Sequence, residues 1–578
     1  HTCCLVHLNL PNTNIKIMKF NLKYSLILCF ACATFSLAAQ DENLESGSVE
    51  IIRSFDARLL DSEKINLNPS LPAVDTSSKR QRYNIPIQSL DIKYPPPRIR
   101  PLALSGDRLP PSYKGYLKAG GGIPNSFYGE GAYRVFAQER LDVGLEVMHH
   151  SANNSGNLEN QRFALTQAKA DGTFYSDQGF AMKGKIGYSS DNIFYYGYNA
   201  ERDQNTVFDE VPKEEVKQTY SILDVGVELF NGTRTVGDFN YSAGIDVYTM
   251  GDISPTSESG FDLKIMGEKW FKEKFPFRLT LRTDFNRYST TSDSIQRLNN
   301  FFLQPNFTYN TDFFKVKVGA NLASSDDVFS LFPDIEVSAN AIPGLVTIFA
   351  GAEGDLHKNN YRNLTDYNPF LQSAVNIRNT RYNRYYIGAK GNVQGISYQA
   401  EFNYKGTEDL ALFLQPRSSL TNRELVLLSV GGTELYQFDV LYDDVDIVNF
   451  KIGAEADIQE FKVAATLSQN FFNMTAEERA WHLPAFEFNG SVQYTTLEDK
   501  LQVKGEIFVQ NAVPYLTPDG DIDNLDALFD ISLGAEYYFT DNFGGFLNIY
   551  NLANNQRERW FRYPIYGINF LAGLSVRF

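Results

Sequence analysis

The sequence predicts an all-β chain, a transmembrane antiparallel β-barrel of about 22 strands, on three observations. The first is strict alternation at the carboxyl end. Phe578, Val576, Leu574, Ala572, Phe570 and Ile568 fall on one face, and Arg577, Ser575, Gly573, Asn569 and Gly567 on the other, with Leu571 the apolar exception. Chain ends usually fray, whereas a barrel in lipid has to pair its last strand with its first and leave no edge. The second is composition: 14% aromatic residues, with 33 Tyr and 44 Phe against 3 Trp, at a mean hydropathy of −0.30. One face of each strand meeting lipid and the other a polar lumen gives such a mixture. The third is the rhythm of the connections, tight turns alternating with longer loops.

In chain order, residues 1–17 read as an upstream or artefactual segment, because a secretory signal starts only at Met18. Residues 18–38 form that signal: Lys19 and Lys23, the apolar run Tyr24 to Phe35, then Ser36-Leu37-Ala38 as the cleavage site. The run is too short to span a bilayer, and neither Cys29 nor Cys32 has a lipoprotein context. All four cysteines (Cys3, Cys4, Cys29, Cys32) precede the cleavage site, so thiol chemistry and disulfides are excluded from the exported chain. The net charge of −16 becomes more negative when Lys16, Lys19 and Lys23 are removed, which argues against nucleic acid as a partner.

Residues 39–111 read as a Pro-rich periplasmic arm with Pro69, Pro72, Pro86, Pro95, Pro96, Pro97, Pro101, Pro110 and Pro111 and a basic set including Arg98 and Arg100. A short strand at 49–52 and a short helix at 55–64 are expected within it. The arm is either a linker or a segment that docks on a periplasmic or outer-membrane protein or folds into the lumen. Residues 112–578 form the barrel. Its predicted strands are 113–121, 128–138, 140–150, 162–175, 180–190, 217–230, 238–250, 259–271, 276–289, 297–310, 313–324, 331–342, 345–357, 380–394, 396–406, 447–459, 462–473, 484–497, 500–511, 525–539, 543–553 and 562–578. Tight turns are expected at Asp177-Gln178, Ile342-Pro343-Gly344, Gln394-Gly395, Glu498-Asp499 and Asp541-Asn542, and long loops at 191–216, 358–379 and 407–446. The register should turn Phe180, Met182, Phe314 and Val316 to lipid, and Lys183, Lys185, Lys315 and Lys317 inward.

A family resemblance rests on the last segment. Asn551-Leu552-Ala553-Asn554 precedes Tyr563-Pro564, then Gly567, Phe570, Gly573 and Phe578. This resembles the carboxyl-terminal signature of TonB-dependent outer-membrane receptors, although Ile568 stands where that family usually has Arg. The resemblance implies an outer-membrane barrel and a role in transport. It covers the barrel and not the family's plug domain. Tyr128-Gly129-Glu130-Gly131-Ala132 is loosely similar to a plug motif but reads here as the second barrel strand, and the stretch 39–111 is too short for such a plug. The expectation is a plugless barrel in a Gram-negative outer membrane, with the lipid of that membrane around it and a lumen closed by its own loops.

No catalytic, cofactor-binding or metal residues are assigned. His149-His150-Ser151 has two histidines that point to opposite faces of a strand and cannot share a metal. A lipase-like reading needs Ser151 and a histidine together on the lipid face. His357 and His482 are isolated, and neither HExxH nor GxSxG occurs. Asp519, Asp521, Asp523 and Asp526 are spaced like a calcium loop, but Asn524 and Asp530 replace its Gly and Glu. Asp443, Asp444 and Asp446 are a weaker candidate of the same kind. Two functions remain: a transporter or channel with a non-standard gate, or a non-transporting barrel subunit of an outer-membrane assembly or secretion complex. An enzyme has no constellation behind it.

Overall fold

The computed structural model describes residues 113–578 apart from 138–139, 202–209, 234, 236, 291–293, 416–428, 431–432 and 498. The expected upstream segment 1–17, signal 18–38 and Pro-rich arm 39–111 lie outside the described residues, as does Glu498 of one expected turn.

Twenty-two antiparallel strands form one sheet. It closes where the first strand, Gly115–Ile123, pairs with the last, Asn569–Arg577, from Tyr116 opposite Arg577 to Ile123 opposite Phe570. Both strands meet the same end of the barrel at the seam, where Gly115 and Lys114 donate to the Phe578 carbonyl and Phe578 donates back to Gly115. Closure leaves no unpaired edge, which is the condition a sheet must meet in hydrocarbon.

Every predicted strand corresponds to an observed one. The plug-like stretch Tyr128–Ala132 lies within the second strand, Ser126–Ala137, paired to strands on both sides. The largest boundary differences lie at the loop end. The fifteenth and sixteenth strands run on to Ile396–Leu414 and Asp439–Ile458, so the loop expected at 407–446 narrows to 415–438. Their added pairs (Leu410 with Asp443, Phe413 with Val440) follow a register shift after Thr407 that interrupts the alternation. The last strand starts at Asn569 rather than 562, and its neighbour ends at Tyr550 rather than 553, because 551–568 folds as a loop with its own small hairpin.

At the end holding the seam bonds the connections are short, 232–238 being the longest, and two of them, 394–395 and 459–460, have two residues. Gln394 and Gly395, with φ of 52° and 83°, make a primed turn that fits the sheet twist. At the opposite end lie 154–161, 195–216, 360–377, 415–438, 475–485, 511–527 and 551–568. The predicted register holds: Met182, Ile186, Phe314 and Val318 are exposed outward, while Lys185 pairs inward with Asp246 and Lys317 with Asp334. The outer wall carries aromatic rings toward the short-turn end (Phe271, Phe461, Phe539 and Phe578) and others toward the loop end (Phe127, Tyr188 and Phe471). Two aromatic rows around an apolar band are the outer surface of a membrane barrel.

Candidate functional site

A barrel this wide has no core of its own, since its strands face lipid or lumen. Yet the largest cluster of buried apolar residues lies at the loop end. It is assembled from loops 195–216, 360–377, 415–438 and 551–568, which leave the wall at separate points of the circumference.

Loop 360–377 is the central piece. Asn360 caps its short helix, Tyr361–Tyr367, by accepting from the Asn363 amide, and its own Nδ2 donates to Glu258 and the Tyr248 hydroxyl. Arg362 forks onto Asp224. Beyond the helix the chain has no regular structure, so its carbonyls need donors. Inward-facing side chains of the wall supply them. Tyr220 donates to Pro369 O at 2.9 Å, Tyr288 to Ser373 O at 2.5 Å, Tyr442 to Asn376 O at 2.7 Å, and Gln296 to Val375 O at 2.9 Å. Tyr195, from its own loop, donates to Leu371 O at 2.9 Å. Asp252 accepts from Tyr361 and Ser373, and burial holds its carboxyl above the usual range while those bonds pull it back.

The loops meet at Tyr563. Its ring stacks on Phe370 at 3.7 Å, Tyr196 packs edge-on at 5.1 Å, and its hydroxyl donates to Leu435 O at 3.0 Å. Tyr196 in turn donates to Pro564 O. Loop 360–377 also pairs with the chain at Phe438 through two backbone bonds. Trp481 and His482 of the next loop are buried beside these residues, His482 stacking on Trp560 with Nδ1 at 2.9 Å from Phe413 O. Burial depresses the His482 imidazole to about 4.

Below this cap the inner wall is lined with paired charges. Arg384 bridges Glu353 and Glu401, Arg282 pairs with Asp355, and Lys358 with Asp284. A cavity of about 190 Å³ lies among Gln304, Asn321, Asp334, Glu353, Asp355 and Tyr382. The arrangement can bar the mouth and hold a hydrated, charge-balanced lumen beneath it.

Other sequence candidates are not brought together. Asp443 accepts from the amides of Thr475, Ala476 and Glu477, while Asp444 and Asp446 bond to Asp409 N–H and Tyr404 hydroxyl. Asp523 bonds to its own neighbour Asn524, and Asp526 lies 3.8 Å from Arg557. Among the described residues no group of three acids or histidines is placed to hold a metal. His149 does share the outward face with Ser151, Nε2 to Oγ 3.2 Å, and its Nδ1 lies 2.8 Å from Thr166 Oγ1. A neutral hydroxyl gives an imidazolium little support, and the strand amides around Ser151 are committed to cross-strand pairing. His150 points inward and packs against Tyr128 and Phe163. Sequence reasoning missed Phe370, Tyr196 and Trp560, which no alternation marks; Tyr563-Pro564 was visible as a motif but was placed on a strand.

No family model matches the chain, and no curated protein matches it. Its fold does match solved structures of transporters and receptors. Against the FrpB iron transporter from Neisseria meningitidis (F5-1 variant) the TM-score is 0.62 at 8% identity, over 81% of this chain and 83% of that one. Against the ferripyoverdine receptor of the outer membrane of Pseudomonas aeruginosa it is 0.58 at 11%, over 82% and 72%. Against the ferric-catecholate import receptor Fiu from E. coli K12 it is 0.58 at 9%, over 81% and 82%. At such identities the likeness shows the fold, a closed antiparallel barrel, and nothing finer.

Proposed function

We propose that this chain is an outer-membrane barrel of the transport class whose passage is gated by its own loops in place of a separate plug. Its termini face the periplasm, and the Pro-rich arm 39–111 meets a periplasmic or outer-membrane partner. The observation that carries the reading is the meeting of loops from several sectors at the Phe370–Tyr563 stack, over a lumen lined with paired charges. The fold shared with outer-membrane iron transporters and siderophore receptors supports it, with the limit that fold alone does not fix function.

The test is conductance of the purified chain in planar bilayers. Wild-type barrel should give small or no steady current, and Phe370→Ala with Tyr563→Ala should give larger, frequent openings. Equal currents from both, with both barrels intact by heat-modifiability, would remove the loops as gate.

A second reading is favoured by how firmly the cap is bonded: hydroxyls of Tyr195, Tyr220, Tyr288 and Tyr442 all hold loop 360–377. Such a cap suits a non-transporting subunit of an envelope complex. That reading requires a stoichiometric partner on extraction in mild detergent. A chain that extracts alone, and whose loss from the cell changes uptake of a solute, returns the choice to transport.

A further inference from the structure

The outer wall at strands two to six holds a site that the transport reading does not use. Cross-strand pairing places residues of these strands in level rows. Val147, Ala168, Tyr188 and Leu223 form one such row, the last wholly apolar one toward the loop end. The next row is His149, Thr166, Ser190 and Ser221; the one above is Ser151, Ala164, Asn192 and Thr219. Asn153 is paired with Arg162, and Phe194 with Lys217, in the top row. Above that row the outward face of these four strands becomes mostly polar, with Ala164 and Phe194 the apolar exceptions. Such a change along the outer wall marks where hydrocarbon gives way to lipid headgroups.

At this step lies an open cavity of about 400 Å³, lined among others by Phe127, Ser151, Asn153, Asn192, Arg162 and Lys217. No Asp or Glu lines it, although the whole chain carries a net charge of −16. The Arg162 guanidinium lies over the Phe194 ring at 5.4 Å and donates through Nη2 to Ser155 Oγ. Its Nε is buried and, among the described residues, has no hydrogen-bond partner. Arg162 and Lys217 form no ion pair with any described residue, unlike the lumenal cations Lys118, Arg282, Lys358 and Arg384. A half-buried guanidinium keeping a donor unmade is costly unless something accepts from it.

We infer that this cavity binds the phosphate headgroup of a membrane lipid. The phosphate sits between Arg162 and Lys217, with Asn153, Asn192 and Ser151 as neutral partners, and an acyl chain runs down over Phe127 and the apolar belt. Arginine suits a phosphate through its forked donors, lysine through its point charge. Two cations at a membrane surface, each favouring an anionic headgroup, give about tenfold selectivity or more over a zwitterionic one.

The experiment uses the full barrel, stripped of native lipid and exchanged into mixed micelles of phosphatidylglycerol and phosphatidylcholine, with retained lipid counted by native mass spectrometry. Wild type should keep one phosphatidylglycerol that survives conditions removing phosphatidylcholine. Arg162→Gln with Lys217→Gln should lower that retention about tenfold, while Lys272→Ala with Lys274→Ala, in a short turn at the other end, should leave it intact. Lys217→Glu alone is the second variant should the double change impair assembly, and heat-modifiability reports assembly separately. Equal retention in wild type and variants, or no preference for phosphatidylglycerol, overturns the site. Displacement of the bound lipid by millimolar inorganic phosphate assigns it to free anions and overturns the lipid.

Discussion

Asn551 and Tyr563 show how a motif visible in sequence acts in the structure. Asn551, at a φ of 50°, donates from Nδ2 to Asn555 O and Tyr566 O, and Asn554 accepts from the Ile568 amide. These bonds fold the last loop inward and deliver Tyr563 to the centre of the cap. The residues were legible; their place was not, because a motif read as a linear strand segment carries no sign that its first half leaves the sheet. His482 offers a test of the cap at the same scale. Burial holds its imidazole neutral down to about 4, against 6.5 in the unfolded chain. Between those values the unfolded state binds the additional proton, so stability contributed by this site falls as pH drops from about 6.5 toward 4, by roughly 3 kcal/mol in all. Asp252 and Glu558, both raised by burial, act in the opposite sense, gaining protons in the folded state as pH falls. The measurement is therefore comparative: protection of the cap amides by hydrogen exchange in wild type and His482→Gln between pH 7 and 4.5. Wild type should lose more protection on acidification than the variant; parallel loss in both would refute the assignment to His482.

Strands were the most legible elements, because lipid and lumen impose period two on them without exception for a dozen residues at a time. Loop-end extensions such as 407–414 and 439–446 were hidden, since there the outer face leaves hydrocarbon and the inner face meets the cap. Leu412, Phe413 and Val440 are all buried although they follow one another along paired strands. The seam makes the clearest demand on an element. Deleting Phe578 removes the carbonyl serving Lys114 and Gly115, the amide bonded to Gly115 O and the ring stacked on Tyr133. At about 1 kcal/mol for each bond, the loss is roughly 3 kcal/mol at the closing pair. Fewer heat-modifiable barrels should be recovered from membranes, and Phe578→Asp should fall between deletion and wild type, since charge near the interface costs little. Recovery equal to wild type in both would show that the seam closes without this residue. Register has its own check in a chain whose only cysteines precede residue 38. Cysteines at 315 and 317 should react with a water-soluble thiol reagent admitted to the lumen, and those at 314 and 316 should be protected by lipid; the reverse pattern would turn the strand over.

At the scale of the molecule, closure of so wide a barrel was predictable as a need, since an empty one would leak, but not as a geometry. The sequence showed long loops and an arm and could not say which was spent on closure. Bonds from Tyr195, Tyr220, Tyr288 and Tyr442 hold loop 360–377 in the cap, and it is this that supports the proposal of closure by loops. The nine prolines within 69–111 deprive that segment of backbone donors, so it is poorly suited to adding strands or a hydrogen-bonded plug. If the arm lies in the periplasm as proposed, extended chain at about 3.1 Å per residue is ample to reach a neighbour there, and arginines at 98 and 100 suit an acidic surface. Removing residues 41–110 while keeping residues 1–40 should therefore leave bilayer conductance as small as that of the full chain and abolish co-purification of partners from mild detergent. A truncated barrel that conducts steadily while its partners remain attached would make the arm a plug. One that stays closed with partners attached would move the docking surface onto the barrel itself.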